Sequence, residues 1–355
     1  MFRTISHRWG RLKQLQSTNN YNHNNPSPSF LFSLSTTATA NNNSSSKSSA
    51  LPPPIRVSLT DSAGRGTFAT RRIGAGDLIH TAKPLISHPS ISLILNVCYF
   101  CLKRLGMDSS AISAPLEGNR RTDSTPTGPA LDVDRRVYFC SEECRENSKV
   151  FYEVEKMVDW SAFDDHCRLR GLKYPFLVKR LACMIISGAA SVDFLDILQP
   201  ANLFPEMILE MEEEFHLLRC TLLKAGFDEQ IAFLTKQWYI GVLVRIRINA
   251  FRVELIGGSY EDLLSAAAAS IVAESAVGNA VYMLPSFYNH DCDPNAHIIW
   301  IENVDARLKA LRDIEADEEL RICYIDAGMD HDARQTLLSK GFGFQCRCPR
   351  CMSGD

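Results

Sequence analysis

The chain has 355 residues, 45% of them apolar, which is ample for one large domain with a full core or for two smaller ones. A net charge of −3 and a pI near 6.3 exclude the basic field of a nucleic-acid-wrapping module, so no direct nucleic-acid binding is expected. No apolar run approaches the length of a membrane-spanning helix, so no membrane partner is expected either, and a monomer is the default.

Residues 1–54 read as lying outside the fold. They contain no Asp or Glu, the first acid being Asp61, and they are rich in Ser, Asn and Thr up to Pro52-Pro53-Pro54. Phe2, Ile5, Trp9 and Leu12 fall on one helical face, with Arg3, Arg8, Arg11 and Lys13 off it. An acid-free, Arg- and Ser-containing amphipathic start is the pattern of an organellar transit peptide, so a mitochondrial or plastid location is expected. A disordered tail with accidental amphipathicity is the alternative.

Folded sequence begins near Ile55. Residues 55–60, 67–72 and 78–82 alternate apolar and polar positions like short strands, split by Gly64, Gly66, Gly74 and Gly76. Residues 105–135 are polar and rich in Pro, Gly, Ser and Thr, and read as an inserted loop. From about 145 to 236 the pattern is helical. Met207-Ile208, Met211, Phe215, Leu218 and Leu222-Leu223 recur at helical spacing, with Glu206, Glu210 and Glu212 to Glu214 expected outward. Val242 to Leu255 is β-branched and reads as a strand. Ser259-Tyr260-Glu261-Asp262 opens a further helix through Ala269. After Gly278, short strands are expected at Val281–Leu284, Ala296–Ile301, Arg307–Leu311 and Leu320–Ile325. The fold class is therefore mixed α+β, many short strands interrupted by a helical insertion.

The 12 cysteines are the outlier in the composition. Eight fall in close groups: Cys98 with Cys101, Cys140 with Cys144, Cys292, and Cys346, Cys348 and Cys351. C-x-x-C spacing lets two thiolates point at one ion, and two such pairs complete a tetrahedron. Disulfides are the rival reading, but the first residues lack the charged-then-apolar pattern of a secretory leader, so metal is favoured. Cys167, Cys183, Cys220 and Cys323 sit singly among apolar residues and read as core thiols.

Three motifs in the last quarter carry the chemistry. Asn289-His290-Asp291-Cys292-Asp293-Pro294-Asn295 suggests a tightly bent segment whose backbone and amide face a ligand. Asp317-Glu318-Glu319-Leu320-Arg321-Ile322-Cys323-Tyr324 is an acidic turn leading into a strand that ends in tyrosine. Cys346-Arg347-Cys348-Pro349-Arg350-Cys351 offers three thiolates, one short of a tetrahedral zinc site, and Cys292 is the obvious fourth.

In this order the motifs resemble those of SET-domain protein (histone) lysine methyltransferases with a post-SET zinc motif. The resemblance is closest to the SET-and-MYND branch and its plant Trithorax-related relatives, and it runs from about Ile55 to Cys351. It implies a fold of small sheets with a pseudo-knotted C-terminus, a helical insertion and a MYND-like zinc finger. On that pattern residues 55–97 are the N-terminal part of SET, 98–170 a degenerate MYND-like insertion, 171–240 the helical SET insertion, 241–326 the C-terminal SET core and 327–355 the post-SET segment. Cys98, Cys101, Cys140 and Cys144 match the first and third cysteine pairs of the finger. The middle pair is missing, so one zinc is expected there rather than two, and a structural role rather than protein contact. His166-Cys167 is at most a remnant of the second site.

The resemblance implies S-adenosylmethionine (AdoMet) as cofactor, about two structural zinc ions and a protein substrate, histone or non-histone. Gly64-Arg65-Gly66 matches the family's G-x-G loop, where glycine lets the backbone approach the cofactor, although any tight hairpin turn would read the same. Asn249, Asn289, His290, Tyr324 and Phe344 match positions that touch the cofactor. Each has a plainer alternative: a strand-end cap for Asn249, a hydrogen-bonded core histidine for His290, packing over the zinc loop for Phe344. Tyr324 is the expected catalytic residue, orienting the target amine, and Tyr282 is a candidate wall of the lysine channel. Asp291 stands where the family usually has Ser, and its side chain is expected to face away from the cofactor. The implied activity is AdoMet-dependent protein-lysine N-methylation. A SET-fold scaffold acting through zinc-finger contacts is the alternative, and the family analogy sets a nuclear location against the organellar N-terminus.

Overall fold

The computed structural model describes residues 52–106, 111–116, 136–202, 205–256 and 276–355. The expected transit peptide, the helix opening at Ser259 and most of the polar loop fall outside them. Among the described residues, four small sheets and a helical layer make up the fold. β1 (Ile55–Leu59) and β2 (Arg65–Ala69) form a hairpin, with Gly64 at its turn in the left-handed region, φ 72°. β2 pairs on its other edge with β12 (Glu319–Ile322), and β12 runs parallel to the two-residue β9 (Asn289–His290). That parallel pair sets Arg321 opposite Asn289 and Ile322 opposite His290. It therefore places the strand leading to Tyr324 beside the Asn289-His290 segment.

A second sheet joins β3 (Leu78–Ala82), β11 (Ala306–Ala310) and β10 (Ala296–Ile299). A third joins β4 (Ile86–Pro89), β8 (Gly278–Val281) and β7 (Ala250–Val253). β5 (Ile112–Pro115), inside the expected polar loop, pairs with β6 (Arg136–Phe139), which begins just past the end of that loop. Its base is thus a ladder rather than irregular chain, because Val137 and Phe139 find buried places against the helical layer.

The helical layer comprises α1 (Glu142–Glu155), α2 (Ser161–Leu169), α3 (Tyr174–Ile186), α4 (Pro205–Lys224) and α5 (Lys236–Asn249). α5 corrects the strand expected over Val242–Leu255, of which only Ala250–Val253 is extended. Thr235 Oγ1 caps α5 by accepting from Trp238 N at 3.1 Å. Tyr239, Val242, Leu243 and Ile246 then bury one face at helical spacing. Burial against α3 and α4 outweighs the weak β preference of the branched residues.

α3 is buried all round from Pro175 to Cys183, so it is the axis of this layer. Two of its buried residues are cations. Lys179 Nζ donates to Asp164 Oδ1 at 2.7 Å, and Arg180 Nε to Glu155 Oε1 at 3.2 Å. Tyr99, between Cys98 and Cys101, donates its hydroxyl to Glu155 Oε2 at 2.9 Å, with the Arg180 guanidinium 4.3 Å above its ring. Neither ion could be buried alone, so the first cysteine loop is locked to the helical layer by a shared carboxylate. Two single-residue expectations change. Glu214 is buried, not outward, because its carboxylate accepts from Tyr239 at 2.8 Å. Cys220 is exposed, whereas Cys167 and Cys183 are fully buried. No helix among the described residues is long and apolar enough to cross a membrane.

Candidate active site

The structure gathers the eight grouped cysteines into two tetrads. In the first, Cys140 Sγ lies 3.6 Å from Cys101 Sγ and 3.5 Å from Cys144 Sγ. In the second, Cys292 Sγ lies 3.9 Å from Cys346 Sγ and 3.5 Å from Cys351 Sγ. A tetrahedron with zinc–sulfur bonds of about 2.3 Å has edges of about 3.8 Å, whereas disulfide sulfurs sit about 2.05 Å apart. Both tetrads therefore fit structural zinc, and all twelve cysteines are free of disulfides. Cys167 is in neither tetrad.

Local chemistry builds each tetrad. Ser141 Oγ accepts from Cys144 N at 3.2 Å and caps α1, with Glu142 and Glu143 in its first turn. The cap holds Cys140 and Cys144 either side of the helix start. In the tail, α6 (His331–Leu337) is capped by Asp330, and α7 (Pro349–Met352) carries Cys351. The Gln335 amide clamps the backbone of Cys346, Nε2 donating to its carbonyl at 2.8 Å and Oε1 accepting from its N–H at 3.0 Å. Arg334, fully buried, reaches Cys351 Sγ with Nη2 at 3.8 Å and donates to Met329 O at 2.6 Å. A cation there offsets the excess negative charge of four thiolates.

His290 joins the second tetrad to the tyrosine. Its Nδ1 accepts the backbone N–H of Tyr324 at 3.1 Å, so its proton sits on Nε2, which lies 3.3 Å from Cys292 Sγ. Burial pulls the ring's pKa down to about 4, and the ring is neutral. The Tyr324 hydroxyl donates to Tyr288 O at 2.6 Å, and burial pushes its pKa up, so it is a phenol and not a phenolate. Tyr288 is itself fixed, its hydroxyl 3.0 Å from His80 Nε2. Phe342 and Phe344 flank Tyr324 with ring centroids at 5.0 and 6.4 Å. Gly343 between them has φ 81°, and a Cβ there would meet Asn202 Nδ2 at 2.9 Å.

These groups open onto one cavity of about 1240 Å³. It is lined by Gly64 and Arg65, Asn249, Asn289 and His290, Tyr324 and Phe344, together with Phe251, Trp300 and Phe342. Among the described residues, no Asp or Glu is in its lining. Gly66 is not in it either. A Cβ on Gly66 would come within 2.6 Å of Glu319 Oε1 and 3.0 Å of Asn289 Nδ2, so its lack of a side chain serves packing behind the cavity. Asn289 spends its amide there, donating to Glu319 Oε1 at 2.7 Å, and so turns its side chain away from the open space. Asn249 closes the end of α5, donating to Arg245 O at 2.7 Å and Gln199 O at 2.9 Å.

Tyr282, the expected channel wall, lies one layer behind. It is fully buried, absent from the lining, and its hydroxyl bridges Val304 O and Trp300 Nε1. Phe251, whose ring packs edge-on against it, and Trp300 line the cavity. Asp291 faces Arg321 at 3.4 Å and not the cavity. Phe342, Trp300 and Tyr288 were not singled out from sequence. The aromatic–glycine–aromatic run ahead of Cys346 was the available signal for Phe342, and nothing local marks Trp300.

The SET domain family matches residues 64–325, about three quarters of the chain. This chain belongs to the SET-domain family. Among SET relatives, the histone-lysine N-methyltransferase ATXR4 of Arabidopsis thaliana is 60% identical over 306 residues, covering 86% of this chain and 88% of that protein. Protein-lysine N-trimethyltransferase SMYD5 of Gallus gallus is 25% identical over 367 residues, covering 83% of this chain and 85% of that one. A SET and MYND domain-containing protein of Dictyostelium discoideum is 25% identical over 289 residues, covering 78% and 77%.

The two tetrads give a direct expectation for metal content. Elemental analysis of the purified protein should find about two zinc ions per chain, and Cys101→Ser or Cys348→Ser should each remove one. A single ion in the wild type would contradict the first tetrad.

Proposed function

We propose that this SET protein transfers the methyl group of AdoMet to the ε-amine of a protein lysine. The observation that carries the reading is the meeting of the Asn289-His290 segment, Tyr324 and the cysteine-tethered aromatic tail at one cavity. The names of its relatives make histone lysines one substrate class, and a non-histone lysine is the other.

AdoMet, when bound, supplies a sulfonium methyl group as the electrophile. Gly64, Arg65, Asn249, Asn289 and His290 are the residues assigned to hold it, chiefly through backbone, since the Asn289 and Asn249 amides are already engaged. Phe344, part-exposed toward the cavity, offers an aromatic face for the adenine. The Cβ-free turn at Gly64 leaves room for close backbone approach.

The nucleophile must be a neutral amine, and a free lysine is protonated near neutral pH. The aromatic walls Phe251 and Trp300 desolvate the ammonium, and no lining carboxylate among the described residues stabilises it, so its pKa falls. The lysine proton leaves to water before transfer. The nitrogen lone pair then forms the new C–N bond as the C–S bond breaks. Tyr324 supplies a neutral hydroxyl whose position is set at both ends, by the backbone bond to His290 and the hydroxyl bond to Tyr288 O. Its role is to aim the amine rather than to exchange a proton. The zinc ions hold the tail in place and take no part in the bond changes.

For location, the acid-free composition of residues 1–54 supports an organellar transit peptide, with the nucleus as the site implied by the histone-named relative. A fluorescent fusion of the full chain should enter mitochondria or plastids and lose that targeting when residues 1–54 are deleted. An unchanged nuclear signal from both would overturn the assignment.

For the activity, Tyr324→Phe should lower kcat by about a hundredfold or more while AdoMet binding by calorimetry and zinc content stay unchanged. Wild-type protein that binds no AdoMet and labels no lysine would overturn the reading.

A further inference from the structure

The cavity's charge does not follow the charge of the chain. Residues 1–54 contribute five basic and no acidic residues, leaving 33 basic and 41 acidic residues in 55–355, net −8. Of the 32 residues lining the cavity, an acidic content of 41 in 355 would give about four carboxylates. Among the described residues there are none, and there are five arginines: Arg65, Arg247, Arg252, Arg321 and Arg347.

Two of the five have carboxylate partners behind the lining. Arg321 donates twice to Glu319 Oε2, at 2.9 and 2.6 Å, and lies 3.4 Å from Asp291 Oδ2. Arg252 Nε donates to Glu254 Oε1 at 2.6 Å. The other three have no carboxylate partner among the described residues. Arg65 donates to the Ile197 carbonyl and stacks 4.6 Å over the Phe287 ring. Arg247, in the last turn of α5, and Arg347, between Cys346 and Cys348, are exposed. The thiolates beside Arg347 are offset by buried Arg334.

The cofactor cannot absorb this charge. AdoMet brings one carboxylate against an ammonium and a sulfonium, net +1, so at most one of three arginines finds its anion there. The target lysine enters as a neutral amine and contributes none.

We propose that the protein substrate carries acidic side chains beside the methylated lysine, read by Arg247, Arg347 and Arg65 around the cavity. The inference rests on the methyltransferase reading above. A guanidinium presents five donors in a planar fork that matches a carboxylate, and it stays charged throughout the working pH range. Exposed pairs of this kind steer and select more than they bind, and salt weakens them. A lysine set in a run of basic residues is therefore a poor substrate, because its neighbours meet both the arginines and a net-positive cofactor.

The test uses the full zinc-loaded chain, radiolabelled AdoMet and three pools of peptides. Each peptide has one central lysine, flanked by Asp and Glu, by Asn and Gln, or by Arg. The acidic pool should be labelled fastest, with kcat/KM raised about fivefold per paired acidic residue at low salt and the gap closing at high salt. A double variant, Arg247→Glu with Arg347→Glu, should reverse the order of the acidic and Arg pools while retaining both zinc ions. Equal labelling of the pools, or preference for Arg flanks by the wild type, would overturn this inference and leave methyl transfer standing. Labelling in no pool would overturn this inference, and if calorimetry then showed no AdoMet binding, methyl transfer would fall with it.

Discussion

The imidazole of His290 holds two distant parts of the chain at a fixed separation. One ring nitrogen takes the N–H of Tyr324, and the other meets the sulfur of Cys292. The two bonds require opposite proton states at the two nitrogens, which only a neutral ring provides. Burial supplies that neutrality. The parallel pairing of β9 with β12 sets the ring opposite Ile322, two residues before the tyrosine. A metal tetrad is thereby coupled to a tyrosine backbone through one side chain, and the tail with Phe342 and Phe344 closes over the same point.

The two tetrads serve different neighbours by the same means. The second closes the tail over the cavity. The first fixes the Cys98 to Cys101 loop on the helical layer, where Tyr99, Glu155 and Arg180 share one buried carboxylate. Removing either ion of that pair would strand the other in an apolar core, a loss of about 3–5 kcal/mol in comparable settings. The first tetrad is thus tied inward to α1 and α3.

The site was legible in sequence where chemistry is local. Cysteine spacing marked both tetrads, and the Asn289–Asn295, Glu319–Tyr324 and Cys346–Cys351 motifs carried the family. Side chains whose roles depend on distant partners were not legible. Tyr282 reads as a wall from its neighbours, yet Trp300 and Val304 draw its hydroxyl into the core. Glu214 reads as solvated until Tyr239 arrives from another helix. Val242 to Asn249 reads as a strand because of its β-branched residues, and only packing against α3 and α4 decides for helix. Gly66 reads as part of a cofactor loop, whereas a Cβ there would meet Thr60 across the hairpin and also Glu319 and Asn289, over 200 residues away.

In the proposed reaction the metal positions and Tyr324 aims. The most direct measurement replaces both zinc ions with cadmium, which also takes four thiolates, and follows methyl transfer by the substituted protein. The account predicts two cadmium ions per chain, each with the nuclear resonance of an all-thiolate site, and transfer within a few-fold of the zinc form. A folded protein with both tetrads filled by cadmium and no transfer would contradict it, because the metal would then belong to the chemistry.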